Sequence, residues 1–356
     1  MLDHGGPSVR SPIENGTPSD SSGGKSLRRI GSGQNPLQWL YSPVESWLVE
    51  VEDQLRLEFD SRIPELATVV QHGTQLGGKR LRPALVLLAA SASGCVSRPH
   101  VILATVIEMV HTATLVHDDV IDRAERRRRV ATVNAKWNRD VSLLFGDYLF
   151  SQAFRLAATL PTIEACEQIG EASRRVCEGE LRQVLNRNIL DLEESTYIEI
   201  VRGKTAELCR VACQLGARYS EADSATVEAL ASYGENLGIA FQIADDYLDL
   251  WGDDDRVGKT LATDIVQGKM TLPLIRLLKQ SPEDDRRRII EILRGPSAER
   301  LSRIRPFLES SEAASDTQRM AECYRDRAIA ALQCLPPTLS KDSLVAIARF
   351  SVDRHW

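Results

Sequence analysis

From Leu37 onward, apolar residues recur at spacings of three and four, and no stretch alternates apolar with polar residues as a half-buried strand does. Trp47, Val51, Leu55 and Phe59 set the pattern. It continues through residues 83–93, 99–121, 140–158, 164–190, 194–217, 223–251, 270–279, 283–294, 297–309, 314–334 and 341–353. Breakers fall between these segments: Gly77-Gly78, Gly94, Pro161, Gly252, Pro282, Gly295-Pro296 and Pro336-Pro337. A chain patterned this way buries its apolar stripes only by packing helix on helix. The expectation is therefore one all-α domain over residues 37–356. Segments 99–121 and 223–251 are apolar on more than one face, which marks them as central helices. Composition agrees, because apolar residues make up 43% of the chain but aromatics only 5%, leaving mostly Leu, Ala, Val and Ile.

Residues 1–36 differ. They are rich in Gly, Ser and Pro with almost no apolar clustering, and a disordered tail is expected. Arg10, Lys25, Arg28 and Arg29 among serines suit a transit peptide, but Asp3, Glu14 and Asp20 argue against one, and no apolar core of a secretory signal is present. No run approaches the roughly eighteen uninterrupted apolar residues of a membrane span, so none is expected. A net charge of −6 makes nucleic acid a poor partner. The seven cysteines form no CxxC pair and no zinc constellation; they read as buried thiols in a reducing compartment, the cytoplasm.

Two segments have an arrangement that packing does not require. His117-Asp118-Asp119-Val120-Ile121-Asp122 and Ala244-Asp245-Asp246-Tyr247-Leu248-Asp249 both read D-D-x-x-D, and each closes a long apolar helical segment. Residues four apart share a helix face, so Asp118 projects with Asp122 and Asp245 with Asp249, while Asp119 and Asp246 lie beside them. Such patches repel themselves and sit at the negative end of the helix dipole, each effect costing up to about 1 kcal/mol per group. A hard divalent cation offsets both. Mg²⁺ takes one or two carboxylates and completes its shell with phosphate and water, so two facing patches are suited to hold a diphosphate through several Mg²⁺ ions. One acidic helix end alone reads equally well as a solvated surface; two of them, each ending a buried type of helix, do not.

Cations stand near both motifs. Gly77-Gly78-Lys79-Arg80-Leu81-Arg82-Pro83 is a glycine turn, a set of cations and a helix start, and Lys79 and Arg82 lie three apart. Arg126-Arg127-Arg128-Arg129 follows the first motif closely enough for a turn to bring them around one anion. Gly203-Lys204-Thr205 interrupts an amphipathic helix, which points to a kink or a close ligand approach. Gly258-Lys259, Asp264 and Gly268-Lys269 form a polar segment after the second motif that reads as a lid. Taken singly, each of these reads equally well as an ordinary surface loop.

Taken in order, GGKRLRP (77–83), HTATLVHDDVID (111–122), the arginine pair, GKTAEL (203–208), FQIADDYLD (241–249) and the 258–269 segment resemble the trans-polyprenyl diphosphate synthases of the isoprenoid synthase superfamily. The likeness runs from about residue 40 to the C-terminus. It implies a bundle of long helices around an elongated central cavity. It implies Mg²⁺, about three ions per site, with Asp118, Asp119 and Asp122 holding two and Asp245, supported by Asp246 and Asp249, the third. It implies that Arg127, Lys204 and Lys259 bind the allylic diphosphate, with Lys269 in the closing loop. Lys79, Arg82, His111 and Arg128 would bind isopentenyl diphosphate, and Thr205 and Gln242 would offer oxygens to the allylic cation. A lone His such as His111 is otherwise read as structural. The sequence departs from the family pattern at Arg123, Arg126, Arg129 and Ala131, where an acidic, an apolar, a Gly and a Pro residue are usual.

The implied reaction joins isopentenyl diphosphate to an allylic primer such as farnesyl or geranylgeranyl diphosphate. Short-chain members often place Phe or Tyr one helical turn before the first aspartate. Here that level holds Ala113 and Thr114, with Met109 a turn further back, so the floor reads as open and a product of hexaprenyl length or more is expected. Geranylgeranyl diphosphate is the alternative. A terpene cyclase lacks a second motif of the DDYLD kind, and a non-catalytic synthase subunit typically loses aspartates from one motif. A homodimer is expected, with transient membrane contact to release a lipid product.

Overall fold

The computed structural model describes residues 39–61, 63–75, 78–127, 130–252 and 262–353. All belong to one compact unit, Leu37–Trp356. The tail expected over residues 1–36, Arg128 and Lys259 lie outside the described residues.

The chain runs through α1 (Glu45–Glu58), α2 (Pro64–Gln75), α3 (Leu81–Ser93) and α4 (Arg98–Ile121), then a two-residue-per-strand hairpin, β1 (Arg126–Arg127) and β2 (Val130–Ala131). It continues through α5 (Val133–Lys136), α6 (Arg139–Ala157), α7 (Glu164–Leu185), α8 (Glu194–Val201), a π-helical turn over Arg202–Ala206, α9 (Glu207–Arg218) and α10 (Ser224–Trp251). After α10 come α11 (Thr263–Val266), α12 (Leu272–Gln280), α13 (Glu283–Arg294), α14 (Ser297–Glu309), α15 (Ala313–Ala331) and α16 (Leu339–Val352). The all-α expectation holds apart from the hairpin, which periodicity did not reveal because two residues per strand carry no pattern.

Helix starts follow local chemistry. Ser97 and His100 cap α4 reciprocally, with Pro99 in its first turn. Asn138 accepts from the Val141 amide at 2.9 Å to start α6, and Asp223 from the Thr226 amide at 2.8 Å to start α10. Each such cap contributes about 1 kcal/mol. The two segments expected to be central are so: α4 packs on α1, α3, α6 and α9, and α10 on α9, α15 and α16. Helix α4 is long and apolar enough to cross a membrane by length and composition, but 72% of that window is buried inside the bundle, as befits a core helix.

The cysteines correct the sequence reading. Cys209 and Cys213 are buried on one face of α9, but Cys95, Cys177, Cys323 and Cys334 are exposed and Cys166 is half-buried; none is in a disulfide.

Candidate active site

Both acidic motifs close long helices, as the sequence implies, and the fold links them to one another on two sides. On one side Lys204, in the π turn, lies 3.6 Å from Asp118, while its neighbour Thr205 donates to Gln242 Oε1 at 2.8 Å. Gln242 in turn donates to Asp246 Oδ1 at 2.8 Å. On the other side Lys269 donates to Asp122 Oδ2 at 2.9 Å and lies 3.6 Å from Asp264, whose amide donates to Asp249. The wider π turn lets consecutive residues 204 and 205 serve both motifs, a use of helix irregularity common at functional sites. Its Gly203 is explained by packing: a Cβ there would lie 2.9 Å from the Arg175 carbonyl, and one at Gly179 only 2.5 Å from the Lys204 amide. The close approach expected at Gly203 is thus to helix α7.

Asp118 and Asp122 are largely buried, with side chains 20% and 18% exposed. Burial, reinforced by Glu180 and Asp122, pushes the Asp118 carboxyl up to about 6 against the pull of Lys204 and Arg127. Asp119 is almost fully buried and is also raised by burial; Arg127 opposes this, its Nε and Nη2 donating to Asp119 Oδ1 at 3.0 and 2.8 Å. The hairpin delivers that arginine. Its register pairs Arg127 with Val130 and Arg126 with Ala131, and His72 reaches the Ala131 carbonyl at 2.7 Å. Lys204 also pairs with Glu180 and donates to Gln183 at 2.7 Å. Burial alone would lower the Lys204 ammonium, but Asp118 and Glu180 outweigh it and hold it above the ordinary lysine value.

In the second motif the three aspartates have different surroundings. Asp246 is buried, with both oxygens occupied, one by Gln242 and the other by the Tyr197 hydroxyl at 2.6 Å. Burial and nearby Asp264 push it far above the usual carboxylate range. Asp249 accepts from the Thr263 amide and hydroxyl and from the Asp264 amide, closing the start of α11; burial and Asp264 raise it to about 6. Asp245 is half-buried. Thus Asp246 positions Gln242 and Tyr197, and Asp249 anchors the segment carrying Lys269. A three-residue spacing gives direction on a helix but not which oxygen a neighbour has already taken.

A small cleft, open to solvent, lies beside these groups. Polar Gln183, Lys204, Thr205, Gln242 and Lys269 line it, alongside apolar Leu192, Ile200, Val201 and Met270. Among the described residues, no three His, Cys, Asp or Glu side chains converge tightly enough to hold an ion unaided. Crowded, raised carboxylates without a complete cage fit Mg²⁺, which recruits phosphate oxygens for the rest of its shell.

The other predicted residues fall elsewhere. Lys79 is exposed. Arg82 Nη1 lies 3.1 Å from His111 Nε2, so these two are brought together, and Arg82 Nε is buried without a hydrogen-bond partner. Between Lys79 and Arg82, Arg80 turns inward to Glu52 and buried Glu108. Ala113 and Met109 are fully buried and Thr114 half-buried, and none lines the cleft. Ala113 packs in a cluster with Val69, Val116, Phe145 and Leu149. Sequence reasoning missed Glu180, Gln183, Arg187 and Tyr197. The first three stand at i, i+3 and i+7 as a polar stripe on α7 and the turn after it, and that spacing was the available signal.

Two carboxylate motifs at helix ends, the cations Arg127, Lys204 and Lys269 on the first of them, and a cleft of mixed polar and apolar lining in an all-α bundle suit an enzyme that handles a diphosphate. The chain belongs to the polyprenyl synthetase family, whose sequence profile matches residues 63–309. It is 36% identical over 281 residues to octaprenyl diphosphate synthase of Escherichia coli, covering 78% of this chain and 86% of that one. It is 32% identical over 341 residues to component 2 of heptaprenyl diphosphate synthase of Bacillus subtilis, covering 93% and 97%. The fold matches a crystal structure of a polyprenyl synthase from Caulobacter crescentus complexed with calcium and isoprenyl diphosphate, with a TM-score of 0.84 and 35% identity over 90% of this chain and 98% of that one.

Proposed function

We propose that this chain is a Mg²⁺-dependent trans-prenyltransferase that extends an allylic diphosphate with isopentenyl diphosphate to a long all-trans polyprenyl diphosphate. The observation that carries the reading is that Lys204 and Lys269 contact the first aspartate motif while Thr205 and Asp264, beside them, reach the second through Gln242 and Asp249, next to one cleft.

Asp118, Asp122 and Asp245 are the side chains that would hold Mg²⁺, with Asp119, Asp246 and Asp249 supporting from behind through Arg127, Gln242 and the start of α11. When bound, Mg²⁺ neutralises the diphosphate and makes it a leaving group. Arg127, Lys204 and Lys269 add fixed positive charge where that leaving group gains negative charge, a preorganised form of electrostatic stabilisation. Thr205 and Gln242, locked to each other, turn oxygen dipoles toward the allylic cation. Leu192, Ile200, Val201 and Met270 on the apolar side of the cleft give that cation a wall without nucleophiles. The double bond of isopentenyl diphosphate, held at Lys79, Arg82 and His111, then attacks; the buried, unpartnered Arg82 Nε is a donor suited to its phosphate. The proton lost afterwards passes to the released pyrophosphate, and no protein nucleophile is needed.

The product is of hexaprenyl length or more, because Ala113 and Thr114 put no large side chain at the first level of the floor. The similarity to octaprenyl and heptaprenyl synthases supports this over geranylgeranyl diphosphate. The enzyme works as a homodimer in the cytoplasm, holding about three Mg²⁺ per site, and meets the membrane transiently to release product. Condensation of labelled isopentenyl diphosphate with farnesyl diphosphate tests the chemistry: turnover with Mg²⁺, abolished by chelator, is expected. Turnover undiminished by chelator would overturn the reading.

A further inference from the structure

Asp122, the last carboxylate of the first motif, meets two cations rather than one. Arg187 Nη2 donates to its Oδ1 at 2.7 Å and Lys269 Nζ to its Oδ2 at 2.9 Å. The cations come from separate segments, the turn after α7 and the turn after α11, which are tied by a backbone bond from the Asn188 amide to the Gly268 carbonyl at 2.8 Å. The tie is close: Gly268 has φ +71°, and a Cβ there would lie 2.2 Å from Asn188 Oδ1. The adjoining residues Arg187 and Lys269 are thereby held on the same carboxylate. Arg187 is largely buried, and its Nε has no hydrogen-bond partner.

Asp122 is shared between the two cations, so neither has a carboxylate to itself there, and Asp264 offers Lys269 only a 3.6 Å contact. A guanidinium with a free buried donor beside an already shared carboxylate is set to receive a further anion, and its fork suits phosphate. We infer that Arg187 is a further diphosphate-binding residue, which holds Asp122 in the substrate-free enzyme and transfers to the diphosphate as metal takes the carboxylate. This rests on the reading of the site given above. It couples the ligands: the anion draws Arg187 off Asp122, and removing Arg187 leaves Asp122 more open to a bare cation.

The test measures binding, not turnover, on the full chain by titration calorimetry. Wild type, Arg187→Met and Arg187→Lys are titrated with inorganic pyrophosphate in the presence of Mg²⁺, and separately with Mn²⁺ alone. Arg187→Met is expected to bind pyrophosphate about tenfold or more weakly yet to bind Mn²⁺ more tightly, with Arg187→Lys between it and wild type. Unchanged pyrophosphate affinity overturns the inference, as does a parallel loss of both affinities, which is what structural damage produces. If wild type itself fails to bind Mg²⁺ with pyrophosphate, the diphosphate reading of the site falls, and the inference with it.

Discussion

Asp118 shows most directly how the site trades stability for chemistry. A carboxyl raised to about 6 binds its proton more tightly in the folded than in the unfolded chain. It therefore supports the metal-free fold below its ordinary pKa, and that support is lost as pH rises through about 6. Asp249 behaves the same way. Metal binding at Asp118 must displace its proton, so Mg²⁺ affinity is predicted to fall below pH 6 and binding at pH 5.5 to release protons, measurable by calorimetry in buffers of different ionisation enthalpy. Asp118→Asn should lower kcat by about 10²–10³-fold while raising the melting temperature of the metal-free protein at pH 7.5. Loss of both activity and stability would place Asp118 in the scaffold. The aspartates themselves were legible in the sequence because a repeated D-D-x-x-D has few structural uses. The division of labour among them was not, since the Asp246 partners Tyr197 and Gln242 lie 49 and 4 residues away, and only the fold brings both together.

Helices α4, α7, α10 and the π turn are the elements that build the site, and their packing is as exacting as their chemistry. Because a Cβ on Gly179 would meet the Lys204 backbone at 2.5 Å, Gly179→Ala must push the π turn away from α7. The predicted cost is about 1–3 kcal/mol, read as a lower denaturation midpoint, with a larger loss of turnover than of stability because Lys204 and Thr205 move together. At this scale the long helices could be read from apolar periodicity, and their ends from Gly and Pro. The hairpin could not: four arginines in a row carry no periodic signal, and it is the cross-strand register with Val130 and Ala131 that turns Arg127 onto Asp119.

For the molecule as a whole, the proposed function has product length set by how far the growing chain penetrates between helices. Ala113→Phe should shorten the product, with chromatography as the readout. Since Ala113 is fully buried against Phe145 and Leu149, overpacking should also cost about 1–3 kcal/mol. A shorter product from a protein that still unfolds cooperatively places the floor at this level. The fold class followed from sequence because helical periodicity pervades residues 37–356, whereas the distance from the cleft to Ala113 depends on helix packing that no local pattern encodes. The central claim is tested most directly by incubating purified protein with farnesyl diphosphate, labelled isopentenyl diphosphate and Mg²⁺, then separating the dephosphorylated products. A ladder ending at hexaprenol or longer is expected. A single product stopping at geranylgeraniol would contradict the long-chain assignment, and no condensation by a folded, metal-supplied protein would contradict the assignment of the site.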